Sequence, residues 1–125
     1  MYVVDTQSLI WYILKRSRST VRDIFKSSEN GLIKIYIPTI VLAEIFYIVK
    51  KRKIKLDYQE MLTIIEENPN FIIVGFSYEV LKTFFNIGYF DLHDQIIVAT
   101  TKLLGATLIT TDREIIMSNI VRTLQ

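Results

Sequence analysis

Short apolar runs alternate with longer segments of helical periodicity along the whole chain. The run "YVVD" closes on an acid, and "TQSLIWYILKRS" after it has apolar residues at the three- and four-residue spacing of an amphipathic helix. The segment "TVRDIFKSSEN" predicts a second helix, preceded by Ser19 and ended by Gly31. "LIKIYIP" alternates as a strand does, and Pro38 favours a place near the edge of a sheet.

The same alternation continues through the second half of the chain. Thr39 is a candidate cap for the helix "IVLAEIFYIVKKRK", and "DYQEMLTIIEEN" predicts another helix that ends near Asn68. "FIIVGF" is a continuous apolar run, typical of a strand buried on both faces. Ser77 and Asp91 open two further predicted helices, "ATLITTD" predicts a strand, and the tail "REIIMSNIVRTLQ" predicts a short helix and a last small strand.

Strands that alternate with helices predict right-handed crossovers and a mainly parallel sheet of about four or five strands. The expected fold class is therefore α/β, a three-layer α/β/α sandwich with helices on both faces of the sheet. A chain of 125 residues has room for one domain, which we expect to span residues 1–125. In such sheets ligands bind outside the carboxyl ends of the strands, where the strand order reverses.

Composition narrows the chemistry to oxygen ligands. The chain has no cysteine and one histidine, His93, which excludes disulfides, thiolate zinc sites and two-histidine metal motifs. The balance of 15 Lys and Arg against 13 Asp and Glu does not by itself indicate a polyanionic partner. There is no basic leader, and every apolar run is shorter than the roughly 18 residues of a membrane span. We expect a soluble cytoplasmic protein.

Four acids are expected at one edge of this sheet. Asp5 and Asp112 each follow a predicted strand, and Asp94 lies in the first turn of the helix that leads into the second of these strands. Glu44 interrupts an apolar helix, where an unpaired charge is costly. Two carboxylates about 4 Å apart repel by roughly 4 kcal/mol at an effective dielectric near 20. A divalent cation would relieve this repulsion, and oxygen ligands favour Mg²⁺ or Mn²⁺.

Each acid also has a purely structural interpretation. Asp94 could favour the positive end of a helix dipole, and Asp91 fits an N-cap better than it fits a site residue. Asp5 and Asp112 could each begin a turn, as aspartate often does. Glu44 is the hardest to interpret this way, because a glutamate in an apolar helix needs a partner if it faces inward.

The motifs that carry these acids resemble those of the PIN-domain nucleases, and among them the VapC-type toxins of toxin-antitoxin systems. "VVDTQSLIWYI" is similar to the opening strand of the family, with Asp5 as its first acid. "IPTIVLAEIFYIVKKRKI" resembles the second block, with Glu44 as the matching acid. "LHDQIIVATTKLLGATLITTDREI" resembles the third and fourth blocks, with Asp94 as the third acid and with Thr110 and Asp112 in the Thr-x-Asp element.

The resemblance implies a nuclease that cleaves single-stranded or structured RNA with Mg²⁺ or Mn²⁺. The implied reaction is in-line attack by metal-activated water, which leaves a 3′-hydroxyl and a 5′-phosphate. Asp5 and Asp94 are implied as the principal metal ligands, and Glu44 and Asp112 as catalytic acids that complete the site directly or through waters. The resemblance also implies a homodimer that is inhibited by a cognate antitoxin.

Two threonines are implied as partners of these carboxylates. Thr110 would orient a carboxylate through its hydroxyl, and Thr6 could do the same, although a solvated threonine at a strand end is the favoured interpretation of Thr6. His93 precedes Asp94 and could contact substrate, but a partly exposed structural histidine is the favoured interpretation here. The aromatic residues Trp11, Tyr12, Phe46 and Tyr47 are interpreted as core or dimer-interface residues rather than as platforms for bases, because apolar residues surround them in the sequence.

Basic side chains cluster after two predicted helices and are candidates for contacts with RNA phosphates. Positive charge at a helix end also complements the helix dipole, which is the competing explanation for some of these residues. Phosphate contacts would make binding fall steeply with salt and would carry no sequence information. The candidates are Lys15, Arg16 and Arg18 in one group, and Lys50, Lys51, Arg52, Lys53 and Lys55 in the other.

Two other functions are compatible with an α/β domain that carries acids at its strand ends. A phosphoacceptor signalling module needs an aspartate after the middle strand, whereas "FIIVGFS" ends in Gly75, Phe76 and Ser77. A PIN-like domain that binds RNA or protein without catalysis is the stronger alternative. The presence of all four acids favours the nuclease over it.

Overall fold

The protein folds around a parallel sheet of five strands in the order β3-β2-β1-β4-β5. This computed structural model describes residues 1–125. The strands are β1 (Tyr2–Val4), β2 (Ile35–Pro38), β3 (Phe71–Val74), β4 (Thr107–Ile109) and β5 (Arg122–Leu124). The helices are α1 (Thr6–Ile13), α2 (Ser19–Glu29), α3 (Thr39–Lys50), α4 (Tyr58–Glu67), α5 (Tyr78–Thr83), α6 (Leu92–Leu104) and α7 (Arg113–Ser118), with a 3₁₀ turn at Phe84–Asn86. The predicted α/β sandwich is confirmed.

Strand β1 lies at the centre of the sheet and defines the point where the strand order reverses. The chain leaves β1 to build β2 and β3 on one side, and then crosses to build β4 and β5 on the other. Val3 pairs with Tyr36 of β2 and with Leu108 of β4, and it is fully buried. The carboxyl ends of β1 and β4 therefore meet at the switch point, where this class of sheet places its ligands.

Two expectations for these strands are corrected: β2 is not at the edge of the sheet, and β3 is not buried on both faces. β2 is paired on both sides, with β1 and β3, although Pro38 suggested an edge. Pro38 is the last residue of the strand, and the polar Lys34 that created the alternation lies just before it. β3 is the edge strand instead, and its Ile73 is 47% exposed despite the continuous apolar sequence.

One hydrophobic core joins the sheet to the helices around it. Leu9 of α1, Phe25 of α2, Ile45 of α3, Met61 of α4 and Ile97 of α6 are all fully buried in it. Helix α3 packs against α1 and α6, and α6 also packs against β1 and β4. Helices α1, α3 and α6 are thus held together beside the central strands of the sheet. None of the helices has the length and apolar character to cross a membrane.

Helix starts fall close to the predicted residues, but only some side chains cap them. Ser77 accepts a hydrogen bond from the amide of Val80 at 3.2 Å, which confirms it as a cap. Ser19 and Thr39 are the first residues of α2 and α3, and neither helix has a side-chain cap. Asp91 occupies the N-cap position of α6, but its side chain makes no capping hydrogen bond.

Aromatic residues near the two candidate basic groups divide between core and surface. Tyr12 packs in the core, where its ring stacks on Phe25 with centroids 4.0 Å apart. Phe46 and Tyr47 lie on the outer side of α3 and are 45% and 63% exposed, so they are not core residues. The apolar residues around Phe46 and Tyr47 in the sequence therefore do not mean that these two side chains are buried.

Candidate active site

Asp5 is a buried carboxylate at the carboxyl end of the central strand. It follows β1 directly, caps α1 by accepting the Ser8 amide at 2.9 Å, and is 8% exposed. Burial raises the pKa of Asp5 because water no longer solvates the charge. Hydrogen bonds from Thr110 and Ser8 lower this pKa and offset only part of the rise, and the nearby Asp112 charge adds to it.

Thr110 connects Asp5 to the acid that follows the neighbouring strand. Its side chain is fully buried, and its hydroxyl accepts the amide of Asp112 at 3.0 Å while also bonding to Asp5. Asp112 in turn caps α7, because one of its carboxylate oxygens accepts the Ile115 amide at 3.0 Å. The short link from β4 into α7 therefore aligns Asp112 beside Asp5.

Glu44 enters the site from α3 and is held at both of its carboxylate oxygens. The Thr6 hydroxyl donates to Oε1 at 2.5 Å, and Nδ1 of His93 lies 2.8 Å from Oε2. The Glu44 side chain is 23% exposed, so these partners satisfy a charge that would otherwise be costly in an apolar helix. The interpretation of Thr6 as a solvated threonine is wrong, because its hydroxyl contacts this carboxylate.

Asp94 lies where the charges of the other acids meet. Partial burial and then the charges of Asp112, Glu44, Asp5 and Asp91, in decreasing order of effect, together raise the pKa of Asp94 to about 6. No hydrogen bond from the protein offsets this rise. The structure thus brings the other three predicted acids together around Asp94, and it adds Asp91 as a weaker neighbouring charge.

These acids line an open cavity of about 200 Å³ at the carboxyl edge of the sheet. Gln7, Ile97 and Thr111 complete its wall beside the four acids and Thr6. These three residues were not among the predicted site residues. Gln7 and Thr111 each lie next to a predicted site residue in the sequence, and this position was the one sign that they could line the site.

The donor set fits a hard divalent cation. All four acids offer carboxylate oxygens, which Mg²⁺ and Mn²⁺ prefer, and the cavity has room for an ion with bound water. The raised pKa of Asp94 reflects repulsion that a cation would relieve. No group of three or more acidic or histidine side chains already has the spacing of a bound metal site. Hydrogen bonds hold Asp5, Glu44 and Asp112 individually, while Asp94 is free of them.

The ends of α1 and α3, where the two groups of basic candidates begin, lie away from the acids. Helix α1 begins at Thr6 beside the site, and its eight residues carry the chain about 12 Å away before Lys15. Lys50 lies six residues beyond Glu44, or about 9 Å along α3. Lys15 and Lys50 are therefore displaced toward the opposite edge of the sheet. Arg18 instead borders a small pocket with Ser8 and Thr111, and Thr111 also lines the cavity of the acids. All eight of these side chains are exposed.

Comparison with known protein families assigns the chain to one of them. The family model of the PIN domain matches residues 2–120, which is nearly the whole chain. The chain therefore belongs to the PIN domain family. A comparison with curated protein sequences gave no significant match.

Solved structures with the same fold include several toxin-antitoxin proteins. VapBC2 from Rickettsia felis, bound to a DNA fragment from its promoter, is 23% identical with a TM-score of 0.75, covering 98% of this chain and 96% of that chain. DNA-bound VapBC from Salmonella typhimurium is 19% identical with a TM-score of 0.72 and the same coverage. A toxin-antitoxin complex from Klebsiella pneumoniae is 20% identical with a TM-score of 0.69, covering 100% and 97%. At these identities the likeness shows a shared fold.

Proposed function

We propose that this protein is a metal-dependent endoribonuclease and the toxin of a toxin-antitoxin pair. The observation that carries the proposal is the convergence of Asp5, Glu44 and Asp112 on Asp94, whose pKa they raise together. Membership of the PIN domain family supports nuclease chemistry, and the assemblies formed by structural neighbours support an antitoxin partner. Acids that repel one another at the switch point of a sheet destabilise the metal-free fold, so their arrangement is better explained by cation binding.

Asp5 and Asp94 would hold Mg²⁺ or Mn²⁺, with Glu44 and Asp112 completing the site directly or through water. When bound, such an ion polarises a phosphate and lowers the pKa of a bound water. The protein's own contribution is to fix the carboxylates beforehand, since a divalent ion of this kind demands accurate ligand geometry. Burial of Asp5 also excludes bulk water from one side of the cavity.

Backbone amides and the Thr110 hydroxyl orient the carboxylates of Asp5 and Asp112. The Ser8 amide fixes one oxygen of Asp5, and the Ile115 amide fixes one oxygen of Asp112. Thr110 lies between the two acids and bonds to both residues. Each acid therefore retains lone pairs for a cation or for its water while its rotation is restricted.

RNA cleavage tests the proposal. Purified protein would be incubated with structured and unstructured RNAs in Mg²⁺, in Mn²⁺ and in EDTA, beside Asp94→Asn and Glu114→Gln. Glu114 is an exposed acid at the start of α7 outside the cavity, so its variant removes the same charge without touching the site. We expect metal-dependent cleavage to 5′-phosphate ends by the wild type and by Glu114→Gln, and at least a hundredfold less by Asp94→Asn.

The same experiment distinguishes the non-catalytic alternative. If the wild type cleaves none of the RNAs and binds no Mn²⁺ by calorimetry, the protein is instead a PIN-like domain that binds RNA or protein. Equal loss of activity in Asp94→Asn and Glu114→Gln would contradict an active site at the predicted edge. Circular dichroism spectra of the three proteins would exclude misfolding as the cause.

A toxin of this kind should arrest growth through its nuclease site. Induced expression of the wild type is expected to stop growth, whereas Asp94→Asn should not, at matched protein levels. Co-expression of the cognate antitoxin should restore growth and should yield a complex that purifies with the toxin. Arrest by both forms would contradict a toxicity that depends on RNA cleavage.

A homodimer is the second proposed assembly, and exposed apolar side chains support it. Tyr78, Phe85, Tyr89 and Leu92, between α5 and the start of α6, are 69%, 91%, 93% and 63% exposed. Since an aromatic side chain presents about 150–250 Å², Phe85 and Tyr89 alone expose an area comparable to the largest apolar patch on a typical monomer, about 300–600 Å².

Sedimentation velocity tests this surface directly. We expect a dimer for the wild type and a monomer for the double variant Phe85→Ser and Tyr89→Ser. Leu32→Ser is the control, because Leu32 is 78% exposed but lies in the segment before β2. A monomeric wild type, or a double variant that remains dimeric, would contradict the proposed surface.

A further inference from the structure

The carboxylate of Glu44 is fixed by side chains from two other helices. Thr6 is the first residue of α1 and binds Oε1, while His93 is in the first turn of α6 and contacts Oε2. The three helices pack together, α3 against both α1 and α6. The contacts at 2.5 and 2.8 Å have the short lengths of hydrogen bonds to an ionised acceptor.

The two partners of Glu44 adjoin the two acids expected to bind the metal most directly. Thr6 follows Asp5 in the sequence, and His93 precedes Asp94. Successive residues on a helix point about 100° apart, so Asp94 can line the cavity while His93 reaches Glu44. The position of Glu44 is therefore coupled through one hydrogen bond to the backbone at Asp5, and through another to the backbone at Asp94.

We propose that His93 is a positioning residue which, with Thr6, sets the orientation of Glu44 for metal binding. This inference rests on the proposed function of the site. A carboxylate only accepts hydrogen bonds, so Nδ1 of His93 must carry the proton in this contact. The imidazole is 51% exposed, and its contact with Glu44 is its only hydrogen bond within the protein. The histidine thus acts on the site through Glu44.

The acids therefore differ in which groups orient their carboxylates. Asp5 and Asp112 are oriented by backbone amides within their own turns, which any folded chain would supply. Glu44 has a long side chain and lies in the middle of α3, where no backbone amide binds its carboxylate. Its orientation therefore depends on Thr6 and His93. Outer hydrogen bonds of this kind typically change metal affinity or activity by about 10–100-fold when removed.

Nitrogen NMR tests the contact without metal or RNA. His93 is the only histidine in the chain, so its ring signals in a long-range proton-nitrogen spectrum are unambiguous. We expect the neutral ring of the metal-free protein to carry its proton on Nδ1. In Glu44→Leu the proton should move to Nε2, the site that a free neutral imidazole favours. Protonation of Nε2 in both proteins would overturn the inference.

Mn²⁺ binding tests the functional consequence with two matched variants. His93→Asn keeps an N–H donor close to the position of Nδ1, whereas His93→Leu has similar bulk and no donor. We expect His93→Leu to weaken Mn²⁺ binding by about 10–100-fold, and His93→Asn to restore most of the loss. Equal affinity of His93→Leu and the wild type would overturn the positioning role.

The two measurements separate failure of this inference from failure of the proposed function. If the wild type binds no Mn²⁺, the metal site itself is wrong and the positioning role falls with it, while the nitrogen spectrum still decides whether His93 holds Glu44. If the wild type binds Mn²⁺ and all three proteins bind it alike, the site stands and the role of His93 is wrong.

Discussion

The amide of Asp112 donates a hydrogen bond of 3.0 Å to the hydroxyl of Thr110, and the same hydroxyl bonds to Asp5. This buried threonine is the only side chain that bonds both strand-end acids, so it sets their separation at the switch point of the sheet. Its substitution should therefore disturb two ligands at once.

Thr110→Val is expected to weaken Mn²⁺ binding by about 10–100-fold, because it removes a bond that orients the ligands. The variant should also lose about 1 kcal/mol of unfolding free energy, since the Asp112 amide loses its partner. Loss of the Thr110 bond should raise the pKa of Asp5 further. Calorimetry and urea unfolding measure the first two effects. Thr110→Ser, which keeps the hydroxyl, should bind Mn²⁺ nearly as the wild type does.

The raised pKa of Asp94 makes the stability of the metal-free protein depend on pH. The folded-state pKa is about 6, whereas an unfolded aspartate titrates near a pKa of about 3.9. Protonation of Asp94 is therefore more favourable in the folded protein than in the unfolded chain. The resulting contribution to stability is fully present below pH 4 and is lost as pH rises through 6. In EDTA, the melting temperature of Asp94→Asn should therefore exceed that of the wild type increasingly between pH 4 and 7.

The control for this pH dependence is the addition of Mn²⁺ at pH 7. The ion should raise the melting temperature of the wild type, because it binds the folded state, and should raise that of Asp94→Asn much less. A difference between the two proteins that is constant from pH 4 to 7 would show that Asp94 does not titrate as its surroundings indicate.

Gln95 is predicted to hold the segment that leads into the helix of Asp94. It is 7% exposed, accepts the Phe90 amide at 2.8 Å and donates to the Gly88 carbonyl at 3.0 Å. Gln95→Leu should destabilise the protein by about 1–3 kcal/mol and speed hydrogen exchange at the Phe90 amide. Gln95→Glu, which keeps the acceptor for Phe90, should protect that amide better than Gln95→Leu. Unchanged exchange in Gln95→Leu would contradict this role.

The basic residues at the end of α3 are predicted to bind RNA phosphates at a distance from the cut. In an Asp94→Asn background, which prevents cleavage, Lys51→Gln with Lys53→Gln should weaken RNA binding and reduce the slope of log K against log salt. Each lost contact with a single strand should reduce that slope by about 0.7. Lys26→Gln with Lys102→Gln is the control, because both lysines are exposed on other helices. Equal effects of the two pairs would indicate only a general charge effect.

Much of the site could be predicted because its acids follow from local rules. Asp5 and Asp112 come directly after strands, and parallel strands end at one edge, so their convergence follows from the alternation of elements alone. Glu44 was identifiable because a charge in an apolar helix needs a partner. Asp94 follows from its place in the first turn of the helix before β4.

The partner that α6 supplies to Glu44 could not be predicted, because it depends on how helices pack. The contact of His93 with Glu44 requires α3 and α6 to lie side by side, and sequence spacing does not record that distance. The edge position of β3, and the exposure of one of its faces, have a similar cause. Ile73 is exposed because β3 ends the sheet, although its sequence is more continuously apolar than that of β2.

The metal site is tested most directly by a calorimetric titration with Mn²⁺ near pH 7, comparing the wild type, Asp94→Asn and Glu114→Gln. We expect the wild type and Glu114→Gln to bind Mn²⁺ equally, with a small release of protons because the pKa of Asp94 is about 6. Asp94→Asn should bind at least tenfold more weakly. Binding of equal strength in all three proteins, or no binding in any of them, would contradict the claim that these acids form a metal site.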